Sequence, residues 1–254
     1  INSKFIIYFH NDPLSMKGSR STSQRLEIIK NVEKIIFVSE WVQKRFFIDI
    51  DDKLKTKTEV VYPSVNLKKK ISKKEKNIVF IGKLNESKGY DVYSNSIIRI
   101  LNEFKDWKAF SIGDEDRRKI YINHKNHFEL GFLNHKKVLN LLDKSEISVV
   151  PSRWEEPFGR TALEASSRGC ATIITNKGGL KETTDNAIIL KKVDSIELYK
   201  ELKKLIKNPK QRKLIQTKSR KNIKHIISDN TKLIDQIRES CLPILNINFL
   251  KKKL

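Results

Sequence analysis

From residue 77 onward, short apolar runs alternate with longer amphipathic segments, and that alternation leaves the chain few architectures. The runs are Ile78–Ile81, Lys108–Ile112, His127–Leu130, Ile147–Val150, Ala171–Thr175 and Ala187–Leu190. Near-continuous apolar runs of this length predict strands buried on both faces. Gly89–Phe104, His135–Asp143, Arg160–Arg168 and Gly179–Thr184 read as helices between them. Strands alternating with helices predict an α/β domain, a doubly wound parallel sheet covered on both sides. A shorter series precedes it, with strands at Phe5–Phe9, Ile35–Val38 and Glu59–Tyr62 and helices at Gln24–Glu33 and Glu40–Phe47. Between the two series, the basic, apolar-poor stretch 67–76 has the form of a surface linker. Beyond Asp194 the pattern is helical and basic; Pro209 suits a helix start and Pro243 a break. The expected organisation is a first domain over 1–66, a linker over 67–76, a second domain over 77–227 and a helical tail over 228–254. The chain opens on Ile1 and enters a strand almost at once, so the first domain is expected to be incomplete.

Composition narrows the class without naming it. Of 254 residues, 38% are hydrophobic and 32% charged, a globular balance. No apolar stretch approaches the roughly 20 residues that cross a bilayer. The net charge of +22, from 52 basic and 30 acidic side chains, would attract nucleic acid, an acidic membrane or a phosphorylated substrate. An AT-rich coding bias would give the same excess of Lys, Ile and Asn, and both readings stand. Cys170 and Cys241 have no metal or redox spacing, which fits a reducing compartment.

Glycine is scarce and unevenly placed. Only Gly18 of the nine precedes the linker. Gly82, Gly113 and Gly131 each follow a predicted strand, and Gly178-Gly179 follows another. In an open parallel sheet, ligands bind beyond the carboxyl ends of the strands, where these glycines lie. The loop from Gly82 to Gly89 carries Lys83 and Lys88 between a strand and a helix. Two lysines beside a helix N-terminus could clamp a diphosphate, or could be ordinary solvated lysines. Neither a P-loop nor a dinucleotide G-x-G-x-x-G fingerprint is present. The densest segment is Pro151-Ser152-Arg153-Trp154-Glu155-Glu156-Pro157-Phe158-Gly159-Arg160-Thr161-Ala162-Leu163-Glu164-Ala165. Backbone N–H groups near Phe158–Thr161 open a helix and could bind an anion. Glu156 and Glu164 make sense beside such a site if they accept hydrogen bonds from ligand hydroxyls. A nucleotide sugar has that layout. A pair of solvated or capping carboxylates would have the same spacing.

At this point the sequence resembles a known family. Glu156 and Glu164 are similar to the E-x7-E motif of the family 4 retaining glycosyltransferases, which have the GT-B fold and belong to the glycosyl transferases group 1. Phe37-Val38-Ser39-Glu40-Trp41-Val42 and Val60-Val61-Tyr62-Pro63-Ser64-Val65-Asn66 resemble the end of that fold's N-domain. Gly82 to Gly89 resembles its G-R-L…K-G phosphate loop, Gly131-Phe132-Leu133 its base-pocket turn, and Gly178-Gly179-Leu180-Lys181-Glu182 its G-G-x-x-E turn.

The resemblance implies two Rossmann-like domains, the first incomplete, and a nucleotide-diphosphate sugar as donor substrate. Lys88 would grip the diphosphate. Lys83 stands where the family has arginine, which keeps the charge and loses the bidentate fork. Glu156 would hold the donor sugar hydroxyls and Glu164 the ribose. Backbone amides near Phe158, Gly159 and Arg160 would support sugar and phosphate. His10, in Phe9-His10-Asn11-Asp12, is similar to the N-domain histidine on the sugar side. His124, His127, His135 and Cys170 read as structural or surface residues.

The expected reaction is hexosyl transfer with retention, Glu156 positioning the sugar while lysines and a helix N-terminus neutralise the departing diphosphate. Asp49-Ile50-Asp51 and Asp114-Glu115-Asp116 are the nearest approach to a metal-binding D-x-D and look like surface loops, so no metal and no cofactor are expected. The expected partners are a UDP- or GDP-sugar, a glycan or lipid-linked acceptor in cell-envelope polysaccharide synthesis, and an anionic membrane face touched by Lys203-Lys204 and Lys251-Lys252-Lys253. The implied place is cytoplasmic, peripheral at the inner membrane face. Because the acceptor side is expected to be incomplete, this chain is expected to keep donor contacts without turning over. A sugar-nucleotide epimerase and a phosphorylase on related folds lack the Pro-Phe-Gly…Glu-Ala wording. A nucleic-acid binder would need a reading helix or an aromatic platform, and neither is legible.

Overall fold

The structure, a computed structural model, describes residues 5–68, 72–116, 120–223 and 227–241. The chain forms two compact units, Ile1–Tyr62 with Ile227–Leu254, and Pro63–Ile226.

The first unit has strands β1 (Ile6–Phe9), β2 (Lys34–Phe37) and β3 (Thr58–Val60), with helices α1 (Thr22–Asn31) and α2 (Glu40–Phe46). The strands form a parallel sheet in the order β1-β2-β3. Parallel neighbours need a crossover, and α1 and α2 with the loops after them supply it. Helix α1 starts two residues before its apolar period, because Ser21 accepts from Gln24 N while the Gln24 side chain reaches back to Ser21 N. Phe9, Phe37 and Phe46 meet with ring centroids 5.2–5.7 Å apart and form the core. Arg25 is buried, its guanidinium donating to Ser19 O, Arg20 O, Thr22 Oγ1 and Ile48 O. Four acceptors, three of them within six residues, make that burial tolerable.

The second unit has β4 (Glu75–Ile81), α3 (Tyr90–Glu103), β5 (Lys108–Ile112), β6 (His127–Glu129), α4 (His135–Lys144), β7 (Ser145–Val150), α5 (Arg160–Ser167), β8 (Ala171–Ile174), β9 (Ile188–Ile189), α6 (Ser195–Lys207) and α7 (Pro209–Lys221). A further helix, α8 (Ile227–Ser240), belongs to the first unit, where Ile237 packs on Ile36 and Val61. The second sheet is parallel throughout, in the order β6-β5-β4-β7-β8-β9. The chain moves outward from β4 to β6, returns to β7 and moves outward the other way, so the order reverses between β4 and β7.

Alternation within the strands divides the core. Ile78 and Phe80 face α3 and α6, with Tyr93, Ile97, Ile100, Leu198 and Leu202. Val79 faces the other side, with Val138, Leu142, Ala165 and Cys170. Each fully buried Val, Leu, Ile or Phe among them contributes about 1.5–3 kcal/mol of transfer free energy. Both faces of β4 are therefore apolar, and the predicted doubly wound parallel sheet is the sheet observed.

Several boundaries differ from the sequence reading. Strand β4 starts at Glu75, inside the stretch read as a linker. Lys74 Nζ donates to Leu142 O and Arg168 O at 3.0 and 2.7 Å, and Lys68 Nζ pairs with Asp143 at 2.8 Å. Part of this basic stretch thus docks on its own unit, because the lysine heads find two carbonyls and a carboxylate there. The segment read as a helix at Gly179–Thr184 is a 3-10 turn, Gly178–Glu182. Pro209 opens α7. Pro243 and Lys251–Lys253 lie outside the described residues. Among the described residues, no helix is long and apolar enough to cross a membrane.

Candidate functional site

The strand order reverses between β4 and β7, and the loops beyond their carboxyl ends part there, leaving a crevice. Both loops are built to meet. After β4 the chain turns at Gly82, buries Leu84 and enters a 3-10 turn, Glu86–Lys88, capped by Asn85, whose Oδ1 accepts from Lys88 N at 3.1 Å. Gly89 follows at φ +71°, and a Cβ there would lie 2.0 Å from Pro151 O, so only glycine fits. From the other side, Arg153 N and Trp154 N each donate to Ser87 O at 2.9 Å. The Arg153 guanidinium grips Asp91 with two bonds of 2.5 and 2.6 Å. Burial pushes the Asp91 carboxyl up, but the bonds and charge of Arg153 outweigh it and hold it below the usual carboxylate range.

Lys88 and Glu156, given the phosphate and the sugar by resemblance, meet in this crevice. Lys88 Nζ stands 2.6 Å from Glu156 Oε1, and Ser152 Oγ donates to the same oxygen at 2.9 Å. The Glu156 backbone is fixed as well. Its carbonyl accepts from Gly179 N at 2.7 Å, and a Cβ on Gly178 would come within 2.1 Å of it. Neighbouring Glu155 turns away, accepting from Gly178 N and Lys177 Nζ at 2.6 and 3.0 Å. Lys83 is exposed and has no ion pair among the described residues.

A cavity of about 120 Å³ opens between the loops, lined by Gly82, Lys88, Ser152, Glu156, Gly159, Arg160 and Thr161 over a floor of Phe80, Ile81 and Val150. Helix α5 starts at its rim. Its N-cap, Gly159, has φ +101° and no side-chain cap, which leaves first-turn amides for a ligand. Phe158 is buried, so only its backbone can serve. A larger hollow of about 710 Å³ is lined by Lys73, Lys74, Glu146, Arg212 and Gln216. Arg212 and Gln216 there are engaged by Glu146 at 3.0 and 2.6 Å.

The second carboxylate, Glu164, is 8% exposed. Its Oε1 accepts from His135 Nε2 at 3.0 Å and Arg160 Nη2 at 3.2 Å. His135, read from sequence as structural or surface, is thus an exposed residue in contact with Glu164. It is the first residue of α4, directly after Gly131-Phe132-Leu133 and the cap Asn134. No period or spacing connects residue 135 with residue 164; the fold does. Gly131 has φ +61° and its carbonyl accepts from Gly113 N at 2.9 Å, while Phe132 is 82% exposed.

The remaining sequence candidates have partners within their own units. His10 belongs to the first unit, exposed just past β1, its ring centroid 4.2 Å from that of Tyr8. His127 Nε2 and Ser111 Oγ are 2.8 Å apart, and His124 Nδ1 accepts from Asn126 N. Cys170 is buried, its thiol facing Leu142 O and Ser145 O at 3.3 Å, and burial pushes it up to about 11. Asp51 caps the turn Asp52–Lys57. Among the described residues, no group of three or more His, Cys, Asp or Glu could hold a metal ion.

The model of the family described as glycosyl transferases group 1 matches residues 65–222. YtcC of Bacillus subtilis, whose given name is that of a glycosyltransferase, is 26% identical over 226 residues, covering 76% of this chain and 55% of YtcC. The chain thus spans about half the length of that relative. The structure of Anabaena HepE in complex with UDP-glucose aligns with a TM-score of 0.73 at 15% identity, over 93% of this chain and 72% of HepE. WaaG, a glycosyltransferase involved in lipopolysaccharide biosynthesis, aligns at 0.65 and 15% identity, over 80% of this chain and 62% of WaaG. These likenesses show the GT-B fold.

Proposed function

The chain belongs to the glycosyl transferases group 1 family, and from that premise we propose that it moves a hexosyl group from a nucleoside-diphosphate sugar to a glycan or lipid-linked acceptor, with retention of configuration. The observation that carries this is the Lys88–Glu156 pair at 2.6 Å inside one cavity with the α5 N-terminus. A ligand placed there has its anionic part at Lys88 and its hydroxyls at Glu156. HepE is a structural neighbour seen with UDP-glucose, which has that layout.

Glycosidic cleavage leaves negative charge on the nucleoside diphosphate. Lys88, Lys83 and the first-turn amides of α5 are the groups that receive it, so the reaction we propose needs neither metal nor cofactor. Glu156 accepts hydrogen bonds from the sugar and orients it for attack on the face the leaving group vacates. Its Oε1 must share or release Lys88 when donor arrives, so a phosphate that draws Lys88 away also frees an acceptor for the sugar. Glu164 takes the ribose. His10 stays a candidate for the sugar side. WaaG's part in lipopolysaccharide biosynthesis supports an envelope polysaccharide as the product, and the net charge of +22 suits work at an anionic membrane face.

A thermal-shift screen of UDP-, GDP- and ADP-sugars tests the reading. At least one should raise the melting temperature, and Lys88→Met should abolish the rise. No rise with any nucleotide sugar would contradict it.

A further inference from the structure

The cluster on Glu164 does more than the donor reading requires of a ribose acceptor. Two donors from different helices, His135 of α4 and Arg160 of α5, converge on one oxygen, Oε1. The other, Oε2, takes no hydrogen bond from the described residues. The carboxylate is 11% exposed, against 61% for His135 and 63% for Arg160. A carboxylate this enclosed has few orientations, and two donors on one oxygen select among them. The one selected leaves Oε2 as the free acceptor.

The two donors are not equivalent. Arg160 lies one turn before Glu164 on the same helix, a spacing that gives a weak exposed pair by itself. His135 comes from another element. It leads α4 immediately after the turn Gly131–Leu133, and its hydrogen bond joins that turn to α5.

We propose that His135 is a positioning residue for ribose recognition: its hydrogen bond to Glu164 Oε1 aims Oε2 at the ribose diol and couples the Gly131–Leu133 turn to the sugar of the nucleotide. The inference rests on the donor reading above and adds to it the residue that sets the carboxylate's direction. A histidine in this role donates through Nε2. Glutamine can replace that donor, and alanine cannot.

The test is calorimetry on the full chain. UDP, GDP and ADP are titrated first, and whichever binds is then compared with its own 2′,3′-dideoxy analogue. Wild type should prefer the ribonucleotide by about tenfold or more, the scale of a hydrogen bond to a charged group. His135→Ala should reduce that ratio to within about threefold, by weakening the ribonucleotide while leaving the dideoxy analogue unchanged. His135→Gln should restore most of it. Equal weakening of both ligands in His135→Ala, or no change in either, would overturn this inference and leave the donor reading standing. If no nucleoside diphosphate binds wild type, the donor reading fails and this inference fails with it.

Discussion

Lys88 and Glu156 carry opposite charges and are in contact at 2.6 Å. Because Glu156 Oε1 holds both Lys88 and Ser152, removing either charge strands the other in a partly buried site. In an active enzyme, Glu156→Ala should lower the turnover number by about 10²–10³-fold, measured as sugar transfer at saturating donor. Near-normal transfer would remove Glu156 from the mechanism. Lys88→Met should raise the donor KM by about tenfold or more and also lower turnover, because Lys88 faces charge that grows on the diphosphate as the bond breaks. These residues were legible in the sequence because their motif is local: Glu156 and Glu164 sit on one loop-helix segment, and Lys88 closes a loop that starts at a strand end. His135 was not, since its partner lies 29 positions away on another helix. The buried Arg25 was not either, since composition puts arginine outside.

At the scale of elements, the two loops are held together by glycines where a side chain cannot fit. Gly89→Ala would place Cβ 2.0 Å from Pro151 O at φ +71° and force β4's loop off β7's. It should cost about 3 kcal/mol or more, seen as a lower urea midpoint, and should weaken nucleotide binding as well. Wild-type stability in Gly89→Ala would contradict the packing described. Cys170 packs where β8 begins, and burial raises its thiol from 9.0 to about 11. A raised acid contributes stability in full below its unfolded value, and loses it as pH rises toward the folded one. Stability should therefore fall between about pH 9 and 11 by more in wild type than in Cys170→Ala, measured by denaturant titration at each pH. The strands were legible because burial on two faces makes apolar runs. The 3-10 turn at Gly178–Glu182 was not, since its geometry comes from clasping Glu155 and Glu156. Nor was the docking of Lys74, whose acceptors are two carbonyls distant in sequence.

At the scale of the molecule, the parallel order β6-β5-β4-β7-β8-β9 reverses between β4 and β7, and the candidate crevice lies at the strand ends that Gly82 and Gly113 follow. The net charge of +22 proved less informative. Helix α7 carries Lys210, Lys213, Lys218 and Lys221 away from the cavity lining. Charge reversal at Lys213 and Lys218 should leave nucleotide-sugar affinity within about twofold at physiological salt, where a charge acts over about 8 Å. A larger loss would give the basic surface a role in donor capture.

We propose that a nucleotide sugar binds between the β4 and β7 loops. Hydrogen–deuterium exchange with and without the nucleotide sugar that binds in the thermal screen tests it most directly. The account predicts new protection at 82–89, 131–135 and 152–164, with 200–221 unchanged. Protection confined to 200–221, or none at 82–89 and 152–164 under saturating ligand, would contradict it.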